Sequence, residues 1–111
     1  MQPLEFAEKK GLSPIVFCIY KYVCRYKDKN GLEDLKKALH CCDVFAECGV
    51  EKEILYSTNE LGDFLLQFEN QHAKAMFDVL KVQGNKEHIG TLKSQINTLM
   101  QEFMYEQNSK N

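Results

Sequence analysis

Apolar residues recur along this chain at helical intervals, and the breaks between runs fall at glycine, asparagine or a serine-proline step. Pro3 suits the first turn of a short helix through Lys10, with Leu4 and Ala7 facing inward and Gly11 as the stop. Ser13-Pro14, a capping hydroxyl followed by proline at the first helical position, opens a second helix predicted to run to about Lys29. On it Ile15, Ile19, Tyr22, Val23 and Tyr26 form a wide apolar stripe, while Lys21, Arg25 and Lys29 recur every four residues along another face. Asn30-Gly31 supplies the left-handed backbone that ends this helix. Leu32, Leu35, Ala38, Leu39, Cys42, Phe45 and Ala46 then keep a helical period to about Cys48, so two antiparallel helices joined by a short turn are expected.

Residues 49–56 are ambiguous between a short strand and a helical turn and are read as a connector. Ser57-x-x-Glu60 is a capping box, after which Leu61, Leu65, Phe68, His72, Ala75 and Val79 predict one helix to about Val82. Gln83-Gly84-Asn85 breaks the chain. Ile89, Leu92, Ile96, Leu99 and Phe103 continue the same spacing to the polar tail of residues 108–111. The expectation is an all-α chain forming one domain over residues 1–111, with a compact three-helix N-terminal unit (1–48) and a long helical hairpin (57–107). Because the apolar seams of that hairpin are wide for 111 residues, a homo-oligomer built through Leu61 to Phe103 is expected.

Composition narrows the function classes. With 44% apolar and 27% charged residues there is material for a single modest core. A net charge of −2 provides no global field toward nucleic acid or an anionic membrane. No DNA or RNA binding is expected, and any bound anion must meet a local cluster. The longest apolar run, Pro14 to Tyr20, is far short of the roughly 20 residues of a membrane span, so no membrane partner is expected. Five cysteines, Cys18, Cys24, Cys41, Cys42 and Cys48, lack C-x-x-C spacing and read as reduced thiols of a cytoplasmic protein, several filling the core. A zinc site on His40 and the neighbouring cysteines is the competing reading. His40 and His72 fall on or near apolar stripes and read as structural, and His88 sits at a helix start. The chain has no Gly-rich phosphate loop of the known kinds.

Three groups carry candidate chemistry. Lys21, Arg25 and Lys29, one turn apart, can span a di- or triphosphate, although a solvated face pairing with Asp28 or Glu33 accounts for the same spacing. Tyr20, Tyr22 and Tyr26 add flat surfaces on which a base can stack, or they are core residues with hydroxyls at the rim. Glu33 and Asp34 can hold Mg²⁺ against a bound phosphate, or merely satisfy the helix dipole.

The segments Gln2-Pro3-Leu4-Glu5-Phe6, Lys21-Tyr22-Val23-x-Arg25-Tyr26-Lys27-x-Lys29-Asn30-Gly31 and Glu33-Asp34-Leu35-x-Lys37-Ala38 resemble a family of small tailed-phage proteins, mostly of unknown function. One branch of it is a nucleotide kinase that acts on deoxynucleoside monophosphates without a P-loop. The resemblance covers about the first forty-five residues. It implies a phage-encoded nucleotide-binding protein of the host cytoplasm, with Lys21 and Arg25 as phosphate ligands and Glu33, Asp34 and Lys37 shaping the same site. A kinase of this kind would require Mg²⁺, with Glu33 or Asp34 as its ligands, and with the spacing argument the resemblance makes Lys29 a further phosphate ligand and Tyr22 or Tyr26 the flank of the base. Where the family commonly has Gly-Asn and then Ile, this chain has Phe17-Cys18 and Tyr20. The loss of that Asn, together with that of a His-Tyr pair that family members usually carry upstream of the Pro, and the large hairpin outside the resemblance favour a second expectation, a non-catalytic protein that sequesters a signalling nucleotide or blocks a host protein through a helical surface.

Overall fold

The computed structural model describes residues 3–109. Six helices follow one another: α1 (Pro3–Lys10), α2 (Pro14–Arg25), α3 (Leu32–Cys48), α4 (Thr58–Leu65), α5 (Asn70–Gly84) and α6 (Ile89–Ser109), with a short 3₁₀ turn over Lys86–His88 leading into α6. No strand occurs among the described residues, as the helical periodicity predicts, and residues 49–57 are an extended connector. Helices α2, α3, α6 and α5 pack in a closed ring, each against the next. Two helical hairpins, α2–α3 and α5–α6, are thereby laid face to face in the manner of a bundle.

Most of the core is built from one row of each of these four helices, with Phe6 and Ala7 of α1 and Phe64 of α4 added to it. Val16, Ile19, Tyr20 and Val23 come from α2; Leu35, Ala38, Cys42 and Phe45 from α3; Ala75, Met76, Val79 and Leu80 from α5; Leu92, Ile96 and Leu99 from α6. Much of the seam assigned above to self-association is therefore used inside the chain. His72, Ala75, Val79, Leu92, Ile96 and Leu99 are all buried within the chain, whereas Leu61, Leu65, Phe68, Ile89 and Phe103 of the same seam are only partly buried.

Four local expectations are corrected. Leu4 is 68% exposed and Phe6 faces inward in its place, while Ala7 is buried as expected. The phase of α1 is set by Phe6 stacking on Phe64 of α4 at 4.2 Å and by the Tyr20 hydroxyl, which donates to Pro3 O at 2.5 Å. Helix α2 ends at Arg25 rather than near Lys29; at that end one of its last carbonyls finds a tertiary partner and the chain turns. Val23 O is met by the buried His72 Nε2 at 2.6 Å, and the following turn closes with Gly31 N donating to Tyr26 O at 2.9 Å. Ser13 does not cap α2 with its hydroxyl, which is buried and without a hydrogen-bond partner.

The backbone on either side of that cap is held by Gln83 of α5, which is fully buried. Its Oε1 accepts from Ser13 N at 2.7 Å and its Nε2 donates to Gly11 O at 3.3 Å. Finally, the single helix expected from Ser57 to Val82 is two, bent across residues 66–69, a stretch with no glycine or proline. The bend lets α4 deliver Phe64 to α1 while α5 lies along α2 and α6. The Ser57–Glu60 capping box at the start of α4 forms in both directions, at 3.1 Å each way.

Candidate functional site

The α2–α3 turn sets the geometry of the predicted site. Gly31 has φ 54° and ψ −123°, a backbone that a side chain strongly disfavours, and it is buried against Phe103 of α6. With the chain reversed there, Asp34 in the first turn of α3 reaches back over the end of α2. Its Oδ2 accepts from Asn30 N at 3.2 Å, its Oδ1 accepts from Arg25 Nη2 and from Asn30 Nδ2 at 3.5 Å each, and Arg25 Nε lies 3.4 Å from Oδ2. Asp34 is fully buried. A buried carboxylate that meets a guanidinium and a backbone N–H is a structural clasp, since losing either partner would leave a charge in the interior.

One turn up, the ring of Tyr22 gathers cations from both helices. Lys21 Nζ lies 4.8 Å from its centroid, Arg25 Cζ 5.2 Å and Lys37 Nζ 5.7 Å. Each is within the range at which the ring quadrupole attracts a cation. Lys21 and Lys37 make no ion pair among the described residues, and Arg25 shares Asp34. The cluster thus carries two positive charges without a carboxylate. Lys37, which entered the sequence reading only through the family resemblance, belongs here because antiparallel packing of α3 on α2 brings it opposite Tyr22.

The other predicted ligands are placed differently. Lys29 sits exposed in the turn beyond the end of α2, so the three-cation stripe of one straight helix is not formed. Tyr26 is a core residue, 2% exposed, meeting His72 and Phe103 edge-on at 5.0 and 6.0 Å, and it does not offer a face to a base. Tyr20 is likewise buried. Tyr22 keeps its place but not the stacking role, because a base laid on its ring competes with the cations already there. Glu33 is exposed and 3.8 Å from Lys36. With Asp34 enclosed by Arg25 and Asn30, the Glu33–Asp34 pair does not fit a shared magnesium ion. Among the described residues no group of three or more His, Cys, Asp or Glu is arranged to hold a metal.

The face is open rather than a cavity, and the main clefts of the surface lie elsewhere. His40 is exposed, contrary to the structural role expected of it, whereas His72 is buried and its pKa is lowered by that burial. Burial raises Cys24 to about 11 and Cys42 to about 12, and raises Cys41, so these thiols stay protonated at neutral pH. All five cysteines are free. Sequence reasoning missed Gln83 and the Gly31–Phe103 contact. Each joins residues some seventy positions apart, and nothing local marks it.

Residues 1–43 match a family described as a protein of unknown function, DUF3310. The match is to α1, α2 and most of α3, and it includes Tyr22, its three cations and Asp34. No curated protein and no solved structure matches the chain. The cation cluster therefore lies within the part of the chain that is similar to an uncharacterised family, and the α5–α6 hairpin lies outside it.

Proposed function

We propose that this chain binds the phosphate of a nucleotide on the open face formed by Lys21, Tyr22, Arg25 and Lys37. The observation that supports this reading is the set of three cations held around one tyrosine ring, two of them with no carboxylate partner. Like charges held this close repel one another, and an anion that contacts all three relieves the repulsion. Lys21 and Lys37 act as point charges from opposite helices. Arg25, held in place by Asp34, presents the remaining edge of its guanidinium. The resemblance to a phage family with a nucleotide-kinase branch is the reason for choosing a nucleotide over other phosphates.

The decisive experiment is titration calorimetry with nucleoside mono- and triphosphates on the full chain and on a Lys21→Ala/Lys37→Ala variant. That variant leaves the Arg25–Asp34 clasp untouched. Affinity should fall at least about tenfold, and an unchanged affinity overturns the reading.

A second reading, capture of the nucleotide without turnover, is favoured by the state of Asp34. The carboxylate beside the cations is buried and committed to Arg25 and Asn30, so it is not free to serve as a base or a metal ligand. Phosphoryl exchange between a nucleoside mono- and triphosphate in the presence of Mg²⁺ would exclude that second reading. Binding with no exchange would exclude the kinase.

A further inference from the structure

A cleft of about 870 Å³ lies at the opposite kind of surface, where the α2–α3 turn, the start of α5 and the end of α6 meet. Its volume is in the range of small-molecule sites. Its walls are acidic and aromatic: Glu69 from the start of α5, Glu102 and Glu106 from α6, Tyr105 beside them at 74% exposed, and Tyr26 at the floor. Lys27 is the one cation lining it, and it is already paired with Glu69 at 3.3 Å. Glu102 and Glu106 make no ion pair among the described residues.

Tyr26 makes this more than a patch of acids. It is 98% buried by its exposure of 2%, yet its hydroxyl makes no hydrogen bond among the described residues, and the residue lines the cleft. The oxygen is not among the buried polar atoms that lack a partner, so it reaches the surface, and the surface that the residue lines is this cleft. Burial first, then the charges of Glu102, Glu106 and Glu69, raise the Tyr26 pKa, so the hydroxyl stays neutral and its oxygen can accept from an N–H donor.

We propose that this cleft binds a linear aliphatic polyamine, with Glu102 and Glu106 each taking an ammonium group and the Tyr26 hydroxyl accepting a further N–H. The two glutamates are four residues apart on α6, about 6 Å along the axis, which matches the reach of two ammonium groups separated by a short methylene chain. A single metal ion is a poorer occupant, because among the described residues no group of three or more His, Cys, Asp or Glu is arranged to hold one. Tyr105 adds an exposed ring face to which an ammonium is attracted, and the methylene stem covers the apolar wall. The site shares no residue with the cation cluster around Tyr22, so it stands or falls independently of the nucleotide reading.

The test is calorimetric titration of the full chain with spermidine, with butylamine as the single-charge control and Mg²⁺ as competitor. Spermidine should bind at least about tenfold tighter than butylamine and should not be displaced by Mg²⁺ at matched ionic strength. Glu102→Gln/Glu106→Gln should weaken binding at least about tenfold. Tyr26→Phe should weaken it about three- to tenfold while leaving the melting temperature unchanged, since the hydroxyl has no hydrogen-bond partner among the described residues. Absence of binding at millimolar spermidine overturns the proposal. So does equal displacement by Mg²⁺, which would mark a diffuse acidic field, and so does an unaltered affinity in Tyr26→Phe.

Discussion

Replacing Gly31 by alanine tests the contact that joins the N-terminal hairpin to the rest of the molecule. Two costs can be worked from the structure. The backbone at φ 54°, ψ −123° disfavours any side chain, a strain of about 1–3 kcal/mol. An alanine Cβ would also lie 2.7 Å from Phe103 Cζ and 2.9 Å from Cε1, so the ring must move, and it leaves its edge-on contact with Tyr26 at 6.0 Å. Such an aromatic pair is worth about 0.5–1.5 kcal/mol, and the loss is partly offset by about 0.4–1 kcal/mol from the stiffer unfolded chain. The net expectation is a destabilisation of about 2–3 kcal/mol, or about 8–12 °C in melting temperature for a chain of this size.

Circular dichroism melts and urea titrations of the two proteins measure it, and the urea midpoint should fall with no change in slope. Repeating the substitution in a Phe103→Ala background isolates the close approach, where the cost should shrink by the share of the aromatic pair, about 0.5–1.5 kcal/mol. A melting temperature within about 2 °C of the parent would refute the argument. An equal cost in both backgrounds would refute the part assigned to Phe103.

The remaining predictions concern Gln83 and His72, two of the polar side chains buried between helices. Gln83→Leu keeps the bulk but strands Ser13 N and Gly11 O, and should cost about 2–3 kcal/mol in urea denaturation; a change below about 0.5 kcal/mol would show that neither bond matters. For His72, burial holds the imidazole pKa below its ordinary 6.5, with Nε2–H donating to Val23 O. The unfolded chain takes up that proton more readily, so His72 stabilises the fold fully above about pH 6.5, and this contribution is lost as pH falls through the lowered folded pKa. His72→Gln should flatten the fall in stability between about pH 7.5 and about pH 5, and identical pH slopes in the two proteins would refute the assignment.

Much of the architecture could be read from the sequence because its signals are local. Ser57 and Glu60 form the box that their spacing implies, Gly11 and Gly31 take the positive φ expected of stops, and the seams of α3 and α6 lie where their periods place them. Local signals fail where a residue's partner is distant. Phe6 displaces Leu4 from the core because Phe64 stacks on it, and the bend at residues 66–69 exists to satisfy α1 and α2 at once. The candidate site divides in the same way. Lys21 and Arg25 could be picked from their spacing and Lys37 from the resemblance. The loss of Lys29 depends on where α2 stops, at an end that meets a histidine of α5.

By itself the sequence determined the helical class, the turn at Gly31 and the presence of cations on α2, because periodicity, glycine conformation and charge act over a few residues. Only the tertiary structure decided which of those cations converge, that Asp34 is a clasp and Tyr26 a cleft floor, and that much of the α5–α6 seam is buried within the chain. Those outcomes depend on which surfaces meet when α5 and α6 close over α2 and α3, and burial then fixes which polar groups are paired and which stay open to a ligand.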